Sequence, residues 1–547
     1  MARWNHLNEG ICESPRDRHW ILLCVGLAFV FFTGVILTRD FFADDSYITY
    51  RYSYNLVEHG RLTWNLADQN PVEGYTSMVW VLINALAFRV GVDPLIWSKA
   101  LSASCFIAII VLLLRNSLIQ SKWAKITVVA GLVLVPGSYF HINSGMETVL
   151  FSLLVLLIFL KLHDFIHLEP ESAEMAPSIP LLCLLLPMTR PEGAAVAAVA
   201  VSAYLFYGPS KHIRKRTLLV FLFFILPGVV YFGWRWRYFG YVFPNPFYVK
   251  TLQPLKLGRV LWLSSTLQQH AMVILTTLAA FAFFRRTRAV IGLGLLIVAS
   301  PILVYALSSS LYMDYQFRFL YHVYPVLLVL FGYSVEFLHN EFAEKAEGGW
   351  FFPKAFLAMV FIIFLTIATQ EASDFLVVGN NSRQSSGFLG KELKAADIDK
   401  QYQTVALGDA GLIPYYSEWN CVDFIGLNDR HLAHAPDSSL GYVLARRPSL
   451  ILLYGSEGGE PARIQFYLTR NNSLSELLSA LESQYERVGW IDSKSGVSYV
   501  AFLRNDLPSN VRGRLAEVIN VSADNARRFC VPPYRSISYV LSRVGLR

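Results

Sequence analysis

Two adjacent carboxylates, Asp44 and Asp45, stand a few residues after the first long apolar run of the chain. The segment reads Phe42-Ala43-Asp44-Asp45-Ser46-Tyr47-Ile48-Thr49-Tyr50-Arg51-Tyr52. A helix that starts here sets Asp44, Tyr47, Arg51 and Tyr54 on one face, and its positive end favours ionised acids. A carboxylate so placed can draw the proton from an attacking hydroxyl and stabilise positive charge building on a sugar ring. Helix capping is the plain alternative, because an Asp pair at an N-terminus often does only that. Paired acids can also hold magnesium or calcium through oxygen, so a divalent cation is possible, although none is expected. No cysteine or histidine spacing resembles a zinc site.

Further segments carry the same kinds of residue. Asn65 follows Trp64, and Val72-Glu73-Gly74-Tyr75-Thr76-Ser77 offers a carboxylate, a phenol and two hydroxyls for hydrogen bonds to a sugar. Any turn has a similar composition, so that string alone is a weak signal. Glu147 lies at the mouth of a helix, and Arg190 and Glu192 place opposite charges around Pro191. Asn245, Tyr248 and Lys250 follow the basic aromatic run Trp234–Tyr238, and Asp314 and Arg318 precede Tyr321 and His322. Ionisable groups at membrane depth are costly and mark function.

The elements that must position these groups are membrane helices. The 547 residues are 54% hydrophobic and only 16% charged, with 14% aromatics, against roughly 25% charged in soluble domains. Mean hydropathy is +0.41. Apolar runs near 20–38, 98–114, 124–141, 147–162, 178–189, 192–207, 216–233, 268–284, 289–307, 320–337 and 354–370 predict about eleven spans. Pro191 makes 178–207 a hairpin; a single kinked helix there would reverse every later span. The run 78–90 is too short to cross and reads as an interfacial helix. With 78–90 on the surface, the clusters Arg115/Lys122/Lys125, Lys211/Arg214/Lys215/Arg216 and Arg285/Arg286/Arg288 all fall on the cytoplasmic side, as orientation bias requires. The N-terminus is then cytoplasmic. The net charge of +7 belongs to that bias, and no basic face for nucleic acid is visible.

The loops 39–97, 141–147, 189–193, 234–267 and 308–319 lie outside, as does everything after 370. Arg51, Arg190, Arg235, Arg237, Lys250 and Arg318 therefore oppose the positive-inside trend, and an anionic lipid phosphate explains them. Residues 1–370 read as the membrane unit. Residues 371–547 read as a small mixed α/β unit with strands at Thr404–Leu407, Leu450–Tyr454 and Tyr499–Leu503, joined through a linker at Val378–Ser386. Cys421 and Cys530 can pair only if that unit is extracytoplasmic.

From about residue 40 to 430 the motifs resemble GT-C glycosyltransferases. The nearest are the terminal arabinofuranosyltransferases of the actinobacterial cell wall and their bacterial relatives. The matching strings are Asp44-Asp45-Ser46-Tyr47-Ile48 with Arg51-Tyr52, Val72–Ser77, Ser144–Thr148, Thr189–Gly193, Pro244–Lys250 and Arg318-Phe319-Leu320. In the tail they are Gly408–Tyr416 and Asp423 with Gly426–Asp429. Ser46 and Pro246 depart from the Ala and Thr of many relatives. The resemblance implies a GT-C fold with juxtamembrane helices in the first outer loop, a multi-pass inner-membrane location, and inverting transfer from a polyprenyl-phosphate sugar to an envelope glycan or glycolipid. It implies Asp44 as general base, the family's analogous sites using the first acid, with Asp45 orienting the acceptor or assisting through water. Both remain open from the residues alone. Arg51, Arg190, Lys250 and Arg318 are the phosphate candidates. Glu73, Tyr75 and Glu147 are the candidates for sugar hydroxyls, with Asn65, Thr76, Glu192, Asn245 and Tyr248 beside them. Rival readings are a transporter, which needs internal repeats that are not apparent, and a non-catalytic membrane protein of envelope or flagellar assembly.

Overall fold

The computed structural model describes residues 15–167, 177–207, 212–251, 270–308, 314–343, 384–435, 439–455, 474–491 and 498–528. The expected span 354–370, most of the 378–386 linker, Cys12 and Cys530 lie outside them. The first nine helices are α1 (Pro15–Leu37), α2 (Asp44–His59), α3 (Met78–Arg89), α4 (Pro94–Arg115), α5 (Lys122–Val133), α6 (Gly137–Asn143), α7 (Thr148–His167), α8 (Ser178–Thr189) and α9 (Gly193–Phe206).

Among the described residues, four helical stretches are long and apolar enough to cross a membrane: Pro94–Arg115, Thr148–Ile166, Ile213–Phe239 and Arg285–Ala306. Two bent pairs are apolar enough only when taken together, α5 with α6 at 63° and Tyr315–Tyr321 with Tyr324–Glu341 at 67°, the geometry of a broken span or a re-entrant loop. Five shorter apolar helices complete the set, α3 among them. With 12 residues, α3 is about 18 Å long and falls short of a hydrocarbon core of about 30 Å. Leu22, Phe29, Phe32, Val229, Val230 and Phe283 stand exposed, as lipid-facing side chains do and as few water-facing patches can. Inside, Phe106, Ile109, Val128, Phe159, Leu186, Val326 and Leu330 form one apolar core.

Local chemistry sets the helix ends. Asp93 Oδ1 accepts from the amides of Leu95 and Ile96 at 2.9 and 3.0 Å, and Pro94 opens α4. Ser77 caps α3 by accepting from the Trp80 amide, and Gly60 closes α2 in the left-handed region at φ 64°. The α8–α9 hairpin is observed: the two helices pack along each other, turning at Arg190. A Cβ on Gly193 would fall 2.4 Å from the Leu186 carbonyl, so only glycine admits this approach.

Among the described residues after 384, five strands form a mixed sheet: β1 (Thr404–Leu407), β2 (Asn420–Asp423), β3 (Leu450–Gly455), β4 (Tyr485–Ile491) and β5 (Ser498–Arg504), in the order β2-β1-β3-β5-β4. β1 pairs parallel with β2 and β3; β5 pairs antiparallel with β3 and β4, with a bulge at Arg487/Gly489. Helices Gln384–Ala395 and Ser509–Arg528 pack together beside it. β2 and β4 are the strands that periodicity missed. The core of this sheet is continuous with Ile48, Tyr52, Trp64, Tyr75 and Val81 of the 39–97 segment.

Candidate active site at the start of the second helix

α2 begins at the two acids, and its two faces meet different surroundings. Asp44 is buried, and each carboxylate oxygen accepts a backbone amide: Oδ2 from Gly411 and Oδ1 from Leu412, both at 3.0 Å. A Cβ on Gly411 would fall 2.2 Å from the Asp44 carbonyl oxygen and 2.4 Å from Oδ2. Gly411 is therefore the residue type that this contact requires. Tyr47, one turn on, packs edge-on against Tyr415 at 5.3 Å and lies 5.7 Å from Tyr416. Arg51 spends its donors on carbonyls: Nε on Trp64 O at 2.7 Å, Nη2 on Trp419 O at 2.8 Å and on Asn65 Oδ1 at 3.3 Å, and Nη1 on Pro414 O. The face expected from the 44, 47, 51, 54 spacing exists, and it is where the sheet unit docks.

Four more of the candidates serve the same joint or its surroundings. Asn65 exchanges hydrogen bonds with the Cys421 backbone at 2.9 and 3.1 Å. Asn245 donates from Nδ2 to the Asp429 carbonyl at 3.2 Å. Tyr248 packs on His434, ring centroids 4.3 Å apart. Glu73 is buried in a two-point ion pair with Arg235, Nε to Oε1 at 2.8 Å and Nη2 to Oε2 at 2.6 Å. Burial pushes the Glu73 carboxyl up, while Arg235 pulls it back. Tyr75 lies in the apolar core against Tyr52, and Thr76 is half-buried just ahead of α3. Arg51, Asn65, Glu73, Tyr75, Asn245 and Tyr248 thus meet protein groups, not an open site.

Asp45 faces elsewhere. It is half-buried and, among the described residues, has no ion pair or hydrogen bond to its carboxylate. It lies within electrostatic reach of Lys250 and Tyr315. Burial lowers the Lys250 ammonium pKa; Asp45 is the strongest group opposing that, ahead of the repulsion from Arg318 and Arg190. Arg318, Arg190 and Glu192, which also act on Lys250, belong to a charge network. Glu147 accepts from Arg190 and, at 3.4 Å, from Arg318; Arg190 also pairs with Glu192. Arg318 Nε donates to Thr148 Oγ1 at 3.1 Å. Tyr305, beside His322 Nδ1 at 2.7 Å, donates to Glu192. Glu147, Arg190, Glu192 and Arg318 are all buried, and their formal charges cancel. Buried charges persist only when paired in this way.

The backbone before Arg318 is strained. Gln316 and Phe317 are both left-handed, at φ 50° and 51°, a cost of order 1–3 kcal/mol each. His141 Nε2 lies 3.0 Å from the Gln316 carbonyl, and Asp314 Oδ1 accepts from the Phe319 amide at 2.9 Å. These contacts hold a sharp turn that directs Arg318 inward. Sequence reasoning missed Tyr305 and Tyr315. Tyr305 sits in an apolar span and gave no signal, whereas Tyr315 adjoins the Asp314…Arg318 cluster that was noticed. Among the described residues no three His, Cys, Asp or Glu side chains are grouped to hold a metal ion.

Comparison with known proteins gives a fold. A family model described as a domain of unknown function, DUF8728, matches residues 378–507. No curated protein matches the chain. The structure of ArnT from Cupriavidus metallidurans in the apo state is similar over 89% of this chain and 98% of ArnT, with TM-score 0.54 and 11% identity. The same ArnT bound to undecaprenyl phosphate is similar over 90% and 98%, with TM-score 0.55 and 11% identity. A lower likeness, TM-score 0.48 at 10% identity over 86% and 74% of the chains, is to the oligosaccharyltransferase of Archaeoglobus fulgidus tethered with an acceptor peptide. ArnT is a GT-C glycosyltransferase. This chain, mostly helical with several apolar helices and a small C-terminal mixed sheet, has the GT-C fold.

Proposed function

We propose that the protein is a multi-pass inner-membrane glycosyltransferase that moves a sugar from a polyprenyl-phosphate donor to an envelope glycan. Its N-terminus is cytoplasmic and its sheet unit extracytoplasmic. The observation that carries the reading is a half-buried carboxylate, Asp45, without a hydrogen bond or ion pair among the described residues, acting electrostatically on Lys250, which also feels Arg318 and Arg190 of a charge-balanced buried network. The shared fold with an enzyme solved with undecaprenyl phosphate bound supports the donor class. Arabinofuranose is the sugar that the motif resemblance favours.

In this reading the general base is Asp45, not Asp44. Both oxygens of Asp44 already accept amide protons and the side chain is buried, so neither oxygen faces an attacking hydroxyl. The acceptor hydroxyl oxygen attacks the anomeric carbon from the face opposite the phosphate. Its proton passes to Asp45 as the carbon–oxygen bond to the phosphate breaks. The configuration inverts. Lys250 and Arg318 neutralise the departing polyprenyl phosphate, where oriented cations act most strongly. Arg190, clamped between Glu147 and Glu192, orients Arg318 through Glu147 and touches no substrate.

The test is transfer of radiolabelled sugar in proteoliposomes. Polyprenyl-phosphate pentoses and hexoses are offered alongside nucleotide sugars, with extracted envelope glycan as acceptor. Label in glycan from a lipid-linked donor is expected. Label from nucleotide sugars alone, or from none of these donors, overturns the reading.

A further inference from the structure

On the docking side of α2, the joint with the sheet unit leaves an open cleft of about 220 Å³, lined by Phe42, Tyr47, Gly387, Phe388, Lys391, Leu412 and Tyr416. Its walls are aromatic and tightly fixed. Tyr47 meets Phe42 at 5.5 Å and Tyr50 at 5.2 Å, edge to face, and Tyr415 meets Tyr416 at 5.0 Å. Helix Gln384–Ala395 approaches Tyr416 through two glycines one turn apart. A Cβ on Gly390 would fall 2.9 Å from Tyr416 Cβ; one on Gly387 would sit 3.3 Å from Leu412 and 3.5 Å from the Tyr416 ring. The glycine at 387 therefore leaves the floor of the cleft without a side chain.

One charge serves this cleft. Lys391 is exposed, and its ammonium sits 4.7 Å from the centroid of the Tyr416 ring. Among the described residues no carboxylate pairs with it; Glu418 pairs with Lys394 instead. Leu412 lines the cleft and also donates its amide to Asp44, the neighbour of Asp45. A ligand seated here touches Leu412, whose amide latches Asp44 to the sheet unit.

We propose that this cleft binds one acidic sugar residue of the acceptor glycan, an inference that rests on the glycosyl-transfer reading. The exposed Lys391 ammonium swings off the Tyr416 ring to meet the acidic substituent, and the half-buried ring then offers its π-face to the C–H face of the sugar. The phenols at the edges suit hydroxyls, and Lys391 suits a carboxylate or phosphate substituent. The volume is below the roughly 300–1,000 Å³ of drug-sized sites, which fits a single ring and excludes a folded peptide. A membrane acyl chain has no use for the cation.

The experiment measures binding without donor, so it stands or falls apart from catalysis. Full-length protein in nanodiscs of neutral lipid is titrated with trigalacturonic acid and with maltotriose, read by saturation-transfer NMR. Trigalacturonic acid is expected to bind the wild type more tightly. Lys391→Gln, on an exposed side chain, should weaken it about fivefold and remove the preference over maltotriose. Gly387→Leu should fill the cleft and abolish binding of both. Equal binding of the two sugars to the wild type, or wild-type binding by Gly387→Leu, overturns the proposal. So does full protection of Lys391 from amine labelling by phosphatidylglycerol in place of the sugar, which would make the occupant a lipid. If binding behaves as expected but no donor is ever consumed, the cleft assignment survives and the transferase reading fails.

Discussion

Gly411→Ala isolates the joint on which the geometry of the site depends. The new methyl group would lie 2.2 Å from the Asp44 carbonyl oxygen and 2.4 Å from its carboxylate, far inside contact distance, so the 411–412 turn must withdraw. Withdrawal breaks two hydrogen bonds of 3.0 Å to a buried charge. Bonds to charged groups contribute about 1.5–3 kcal/mol each, so the loss is about 3–6 kcal/mol of docking energy. Hydrogen-exchange mass spectrometry on the peptide spanning 408–416 reads it directly: exchange should accelerate about a hundredfold or more. Asp44→Ala should give the same acceleration, and the double variant should add little to either, because both remove one contact. Unchanged protection in Gly411→Ala, or fully additive effects, would refute the latch.

Two further outcomes follow from the same coordinates. Arg51→Met should loosen the joint further, because it leaves the Pro414 and Trp419 carbonyls without their shared donor, Trp64 O keeping only Asn55 Nδ2; a loss of about 3–5 kcal/mol in thermal stability of the sheet unit is expected, and a shift near zero contradicts it. Burial lowers the Lys250 ammonium pKa from the free-lysine value, so the cation is lost as pH rises, and transfer should decline at a pH below the ordinary lysine range. Lys250→Arg keeps its charge there and should push the alkaline limb upward; an unmoved limb assigns it to another group.

Much of this was legible in the sequence, for identifiable reasons. The acids at 44–45, the charges at 147, 190, 192, 250 and 318, and the short run 78–90 stand out because charge is rare in an apolar chain and span length is fixed by the bilayer. The 44, 47, 51, 54 stripe was also correct as a stripe. Its partner was not legible, because helical spacing tells which residues share a face and not what covers it. The Gly411 and Leu412 amides come from some 370 residues downstream, and no local pattern announces a backbone donor. Arg51 illustrates the same limit: a guanidinium among tyrosines reads alike whether it awaits a phosphate or crosses three carbonyls. β2 is four residues long and β4 carries a bulge, which breaks the alternation that reveals strands.

The central claim is that the carboxylate at 45, not the one at 44, meets the reacting hydroxyl. Initial rates of sugar transfer from a polyprenyl-phosphate donor, measured for Asp45→Asn and Asp44→Asn in proteoliposomes with sheet-unit docking checked by hydrogen exchange, test it most directly. The account predicts that Asp45→Asn stays docked and loses about a hundredfold or more in turnover, whereas Asp44→Asn loses docking and a smaller share of its rate. A docked Asp45→Asn protein with wild-type turnover would contradict it.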